Sequence, residues 1–276
     1  MKPKERLDKL LVDRGLAESR TKAQALIMAG LVKVNGERVD KAGAPVELGS
    51  CLEIPDNRRW AGRGAYKLLK AIEVFKLDIS GRVCVDIGAS TGGFTDVLLD
   101  AGAKKVYAVD VGYGQLLTRL ATDSRVIVMD RTNARTLTPD KFDEAVEIIV
   151  CDASFISLRL LLPAMDSILS YDGEAVALIK PQFEAGRELM RRTRLGRGGV
   201  VRDPEVHAAV LREVLEFANK EAGLSPVGLS WSPILGPEGN MEFLCYLNRK
   251  PASAADFPAL ASEVVEAAHR ELRGRR

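Results

Sequence analysis

The chain has 276 residues, 46% of them apolar and 28% charged, with a net charge of +2. That balance belongs to a folded globular protein and excludes a disordered, collagen-like, coiled-coil or disulfide-scaffold chain, while the length suits one catalytic-size domain plus something small. No apolar run approaches the roughly 18 residues that span a bilayer, and the opening MKPKERLDKL lacks a signal-peptide apolar core, so a cytoplasmic protein without membrane contact is expected.

The four cysteines, Cys51, Cys84, Cys151 and Cys245, form no CxxC pair and are expected to pack as small hydrophobes rather than to bind metal. With two histidines, His207 and His269, a histidine-based hydrolase is disfavoured. Positive charge is localised. Residues 1–60 hold 12 Lys and Arg against 9 Asp and Glu. Residues 58–70 hold Arg58, Arg59, Arg63, Lys67 and Lys70 without an acid, and residues 187–202 hold six arginines against Glu188. Three such clusters are the footprint of polyanion binding.

In chain order, residues 5–14 read as a helix with Leu7, Leu10, Leu11 and Arg14 on one stripe, closed by Gly15. Ser19 caps a second helix that Gly30 stops. VKVNGERV is a hairpin, because a type I′ turn needs positive φ at two residues and Asn35-Gly36 supplies them. ELGSCLEIP reads as one further strand. Then VCVDIG (83–88), KVYAVD (105–110), RVIVMD (125–130), VEIIVCD (146–152) and EAVALIKP (174–181) alternate with helical or loop stretches, the signature of a parallel sheet covered on both faces. An Arg/Gly-rich loop (184–203), a helix (204–222), two strands in LSPVGLSW and MEFLCYL expected to be antiparallel, and an amphipathic tail complete the chain. The expected division is a small basic module over 1–57, a basic linker over 58–64, a larger α/β domain over 65–250 and a C-terminal helix over 251–276.

The segment DIGASTGGF (86–94) lies where a strand turns into a helix, and Gly88, Gly92 and Gly93 are expected to let the backbone approach a ligand. The spacing is neither GxGxxG nor a P-loop. Asp86 suits a ligand bearing an amine or sulfonium, and Asp110 can bind ribose hydroxyls. With Asp130 and Asp152, four successive strands end in Asp along one sheet edge.

This is the pattern of a Rossmann-like class I S-adenosylmethionine methyltransferase. VDIGASTGGFTDVLL, with KPQFE and GNMEF later, resembles the TlyA family of rRNA 2′-O-methyltransferases, often labelled haemolysin A. The catalytic half is similar to FtsJ-type ribose methyltransferases, and the N-terminal module resembles the α+β RNA-binding domain named after ribosomal protein S-four. The resemblance implies S-adenosylmethionine as cofactor, ribosomal RNA or ribosomal subunits as partner, and cytidine 2′-O-methylation. It carries a Lys–Asp–Lys–Glu set onto Lys67 in GAYKL, Asp152 in CDASF, Lys180 in IKPQF and Glu242 in NMEF. In methyltransferase-like sheets the last strand lies antiparallel beside the fifth, which brings positions 152, 180 and 242 to one patch. Lys180 is expected as the base or as the group steering the hydroxyl's lone pair; Lys67 nearby favours loss of one ammonium proton, whereas Asp152 and Glu242 oppose it. Asp152 is expected to orient Lys180, and Lys67 and Glu242 to place the substrate hydroxyl.

The cofactor is expected against Gly88, Ser90, Thr91, Gly92, Gly93 and Phe94, with Asp86 and Asp152 near its methionine part, Asp110 on its ribose, and Asp130 with Arg131 beside its adenine. Phe94 serves equally as core. Arg6, Lys9, Arg20, Lys22, Lys33, Arg38, Arg59 and Arg63 are expected to grip RNA, and Trp60 to pack rather than stack on a base. The alternatives are an RNA-binding protein without activity, a methyltransferase of another RNA, a pseudouridine synthase or base methyltransferase whose motifs are missing, or the pore-former of the haemolysin label, which a packed α/β sheet does not suit.

Overall fold

The structure is a computed structural model that describes residues 3–17, 19–28, 30, 32–53, 60–185, 200–250 and 257–272. The chain divides into two compact units, Met1–Arg59 and Trp60–Arg276.

In the first unit a short strand β1 (Lys4–Arg6) pairs antiparallel with β4 (Pro45–Glu47) and runs directly into helix α1 (Leu7–Asp13). The helix expected from residue 5 therefore starts later, because the backbone of residues 4–6 is taken by the strand partner. Leu7, Leu10 and Leu11 of α1 meet Ala23 and Ile27 of α2 (Arg20–Met28) in one small core. Ser19 Oγ accepts from the Lys22 amide at 3.3 Å, the expected cap. Hairpin β2 (Lys33–Val34) and β3 (Glu37–Arg38) turns at Asn35 and Gly36, whose φ values are +53° and +86°. The single strand expected over 47–55 is instead split between β4 and β5 (Leu52–Glu53); the second pairs with β2, in a different sheet.

The second unit is built on seven strands: β6 (Val83–Ile87), β7 (Lys105–Val109), β8 (Val126–Met129), β9 (Val146–Cys151), β10 (Leu169–Ile179), β11 (Ser225–Trp231) and β12 (Phe243–Asn248). Their order is β11-β12-β10-β9-β6-β7-β8, and only β12 runs against its neighbours. A period-2 alternation divides the strands between two cores. Val83, Val85 and Ile87 join Ile149 and Cys151 under α6 (Leu162–Ile168), α7 (Pro204–Lys220) and α8 (Phe257–Leu272). Cys84, Ile148 and Val150 face α3 (Ala65–Phe75), α4 (Gly93–Asp100) and α5 (Thr118–Ala121). Trp60 and Ala61, expected within the linker, pack on this second core. The order reverses beside β6, which has β7 on one side and β9 on the other; the crevice outside the carboxyl ends there is where open α/β sheets bind ligands. Among the described residues no helix is long and apolar enough to cross a membrane.

Candidate active site

Four side chains meet at the carboxyl edge. Lys67 stands in the first turn of α3, Asp152 directly after β9, Lys180 directly after β10, and Glu242 directly before β12. Because β12 is antiparallel to β10, pairing Ile179 with Phe243, the start of one strand lies against the end of the other. Lys180 Nζ lies 2.7 Å from Asp152 Oδ1, Lys67 Nζ lies 2.8 Å from Asp152 Oδ2, and Lys67 Nζ lies 2.7 Å from Glu242 Oε2. The order of contact is lysine, aspartate, lysine, glutamate. Lys67, Lys180 and Glu242 are buried, whereas the Asp152 side chain is partly open.

Lys67 is held between two carboxylates. Burial disfavours the Lys67 ammonium, but the carboxylates of Asp152 and Glu242 outweigh it and hold its pKa above the ordinary value. Asp152 stands between the two lysines and contacts both ammonium groups. Among the described residues Lys180 pairs with one carboxylate, that of Asp152. Its other contacts are the neutral Ser154 hydroxyl at 2.8 Å and the Asp152 main-chain carbonyl at 3.2 Å. Ser154 was not singled out in the sequence, although it lies two residues after Asp152 in the same motif. Glu184, the last residue of KPQFE, is buried and accepts from Ser157 Oγ at 2.7 Å, which ties the loop after β9 to the segment after β10.

Beside this group a cavity of about 370 Å³ is lined by Gly88, Ser90, Asp110, Gln115, Thr132, Asn133, Asp152 and Phe155, among others. A smaller one of about 150 Å³ shares Gly88, Ser90 and Asp152 with it and adds Gly62, Arg63, Gly64, Thr91, Gly93 and Phe94. Asp152 thus belongs to both cavities and to the charged group. The first volume alone lies in the ~300–1,000 Å³ range of small-molecule sites. The Asp110 carboxylate is fixed by the Ser90 amide at 2.8 Å and the Gly112 amide at 2.7 Å, with free acceptor capacity toward the cavity.

Several expected ligand residues do other work. Asp86 is fully buried, because residue 86 falls on the α4 side of its strand, and it accepts from the Thr95 amide at 2.8 Å and hydroxyl at 2.7 Å. Burial pushes its pKa up to about 7, against the pull of those two bonds. The turn glycines lie against protein, and Gly88 and Gly93 line the cavities as well. A Cβ on Gly92 would lie 2.3 Å from Leu120 Cδ1, and one on Gly88 would lie 3.1 Å from the Ala153 backbone. Gly93 is pressed on α3, where a Cβ would lie 3.2 Å from the Ala65 nitrogen, though it also borders the smaller cavity. Asp130 does not line the large cavity; it accepts from the Gly114 amide at 2.8 Å, and Arg131 lies over the Tyr113 ring. Thr132 and Asn133, just beyond, supply that wall instead. Phe94 is at once core and cavity wall. Cys84, Cys151 and Cys245 are buried, which pushes each thiol up to about 12, whereas Cys51 is exposed, against expectation.

The expected RNA-facing cations are partly engaged within the first unit. Fully buried Asp8 accepts from Arg6 Nε, Arg20 Nη2 and Gln24 Nε2 at 2.9–3.0 Å. The Arg6 hydrogen bonds lead the causes that hold its carboxyl below the usual range. Lys9 pairs with Glu5. Both arginines stay half-exposed, so the cluster presents two fixed guanidinium groups for one buried carboxylate. Lys22, Lys33 and Arg38 are exposed, as is Arg63 in the second unit. Arg59 and residues 186–199 lie outside the described residues.

Residues 60–249 match the FtsJ-like methyltransferase family and residues 5–50 match the S4 domain. The chain is 44% identical over 271 residues to the 16S/23S rRNA (cytidine-2′-O)-methyltransferase TlyA of Mycobacterium tuberculosis, covering 97% of each chain. It is 39% identical over 242 residues to Hemolysin A of Brachyspira hyodysenteriae, covering 87% of this chain and 98% of that one. Among solved structures, a candidate hemolysin from Streptococcus thermophilus is 46% identical, with a TM-score of 0.76 over 100% of this chain and 99% of the other. Having a match over most of its length and full-length relatives of this kind, the chain belongs to the FtsJ-like methyltransferase family, as a TlyA-type member with an S4 domain preceding the methyltransferase domain.

Proposed function

We propose that the chain transfers a methyl group from S-adenosylmethionine to a cytidine 2′-hydroxyl of ribosomal RNA, acting on ribosomal subunits in the cytoplasm. The observation that carries this reading is the Lys180–Asp152–Lys67–Glu242 contact series opening, through Asp152, onto a ligand-sized cavity. The TlyA relative named as a cytidine-2′-O-methyltransferase supports the substrate.

The cavity residues fit the donor. Asp110 has acceptor capacity for a ribose diol, Thr132 and Asn133 offer polar groups at the far wall, and Asp152 brings negative charge toward a sulfonium. When bound, the donor supplies a methyl carbon activated by its neighbouring sulfonium.

A ribose hydroxyl is a weak nucleophile at neutral pH, so the protein must orient it and accept its proton. Lys67, held charged between two carboxylates, is a poor base and a good donor to the hydroxyl oxygen. Lys180 is the base. As an ammonium it has three donors for three acceptors: Asp152 Oδ1, the Asp152 carbonyl and Ser154 Oγ. Only Ser154 can reverse its hydrogen bond and donate to a neutral amine. Once one ammonium proton has passed to solvent, the Lys180 amine would take the proton that the hydroxyl gives up on attacking the methyl carbon. Glu242 keeps Lys67 charged through this change. Phe155, 90% exposed beside the cavity with φ +64° and its ring centroid 5.3 Å from that of Phe183, offers a face on which the target base can stack.

Calorimetric titration with S-adenosylmethionine, followed by donor-dependent labelling of rRNA and mapping of alkali-resistant positions, tests the whole reading. Absence of donor binding, or label on a base rather than a ribose, overturns it.

A further inference from the structure

Asp96 in the first turn of α4 is a buried carboxylate that the mechanism does not use. It is held from two sides. Its Oδ2 accepts from the Ala61 amide at 2.7 Å, and its two oxygens accept from Arg119 of α5, Oδ1 at 2.8 Å from Nη1 and Oδ2 from Nη2.

Those two partners open the two walls of the ligand site. Ala61 leads into Gly62-Arg63-Gly64, which lines the smaller cavity. That segment is pressed on the glycine turn: a Cβ on Gly62 would lie 2.8 Å from Thr91 Oγ1, and one on Gly64 would lie 3.5 Å from Asp152 Oδ2. Arg119 follows the 111–117 loop, which gives Val111 and Gln115 to the larger cavity, while Leu116 and Leu120 close on Gly92. Both walls are therefore indexed to one carboxylate, on the helix that leaves the turn between them.

An exposed ion pair alone contributes little. Here the carboxylate also satisfies the partly buried Ala61 amide, and an amide that loses its acceptor there is left under-satisfied, so the wall would move to find another. Resting on the function proposed above, we infer that Asp96 is a positioning residue for the methyl donor: it fixes the spacing of the two walls without touching the ligand. Arg119 acts through it.

The test is calorimetry of the full-length protein with S-adenosylmethionine, and turnover on rRNA at saturating donor, for Asp96→Ala, Asp96→Asn, Arg119→Ala and the Asp96→Ala/Arg119→Ala double variant. Asp96→Ala is expected to raise the donor Kd about tenfold or more, and Arg119→Ala about threefold, on the scale at which 1.4 kcal/mol is one decade. The double variant should be no weaker than Asp96→Ala, because Arg119 then has nothing left to act on. Asp96→Asn, which keeps an acceptor for the Ala61 amide, should fall between. Turnover at saturating donor stays within about twofold; a purely structural role would instead lower the active fraction and leave Kd unchanged. Wild-type Kd in Asp96→Ala, or an additive double variant, overturns the inference while leaving the function standing. Should Asp96→Ala fail to fold, wild-type Kd in both Asp96→Asn and Arg119→Ala overturns it equally. No donor binding by the unmodified protein overturns the function itself.

Discussion

Lys180 and Asp152 are joined twice, the ammonium lying 2.7 Å from the carboxylate Oδ1 and 3.2 Å from the carbonyl of the same residue. A donor fixed to both the side chain and the main chain of one partner cannot swing away from it. Among the described residues its adaptable contact is Ser154. Lys180→Ala should abolish methyl transfer, a loss of about 10²–10⁴-fold, with donor affinity retained in calorimetry. Ser154→Ala should lower kcat about tenfold with the RNA KM unchanged, and Ser154→Thr should recover most of it. Normal turnover in Lys180→Ala would remove that residue from the mechanism.

The same charged group predicts a stability effect. Lys67 is the only cation in ion-pair contact with Glu242 among the described residues, and Glu242 is 1% exposed. Removing one partner of a buried pair leaves an uncompensated charge, at a cost of about 3–5 kcal/mol. Lys67→Ala should lower the urea stability of the second unit by that amount, and Lys67→Met combined with Glu242→Gln should recover part of it. Equal stability of Lys67→Ala and the unmodified protein would mean that the carboxylates find water or each other's protons instead.

Phe155 separates substrate placement from donor binding. Stacking on an aromatic face contributes about 1–3 kcal/mol per base, so Phe155→Ala should raise the RNA KM about tenfold with donor affinity untouched. Its left-handed backbone costs a non-glycine residue roughly 1–2 kcal/mol. Phe155→Gly should therefore be more thermostable than Phe155→Ala while equally impaired on RNA. An unchanged KM in both variants counts against stacking.

Asp86 gives a pH signature. Its folded pKa of about 7 lies above the ordinary carboxylate value of about 3.9. The native state thus holds the proton more tightly than the unfolded chain, and this contribution is full below about pH 4 and lost as pH rises through about 7. Urea midpoints should favour pH 5 over pH 8 in the unmodified protein more than in Asp86→Asn, whose amide oxygen still accepts from Thr95. Parallel pH profiles for the two proteins would contradict the raised pKa.

In the first unit, Arg20→Ala removes one exposed guanidinium yet leaves Asp8 bound by Arg6 and Gln24. The slope of log K against log salt for rRNA binding should fall in magnitude by about 1, as for one lost phosphate contact. Filter binding across a salt series measures it; an unchanged slope would place that arginine off the RNA.

The order of strands and helices, the Asn35-Gly36 hairpin and the positions of Asp152, Lys180 and Glu242 at strand ends were legible in the sequence, because β-branched runs, turn residues and period-2 alternation are local signals. Tertiary structure alone decided which acids reach the ligand crevice. Asp86 and Asp130 end strands just as Asp110 and Asp152 do, but the pleat turns Asp86 under α4 and Asp130 falls outside the cavity wall. It also decided that the turn glycines lie against Leu120, Ala153 and Ala65, and that Asp152 stands between the two lysines and pairs with both. Those outcomes depend on which atoms become neighbours across tens of residues, and the free energy of a charge is set by those neighbours rather than by its place in the chain.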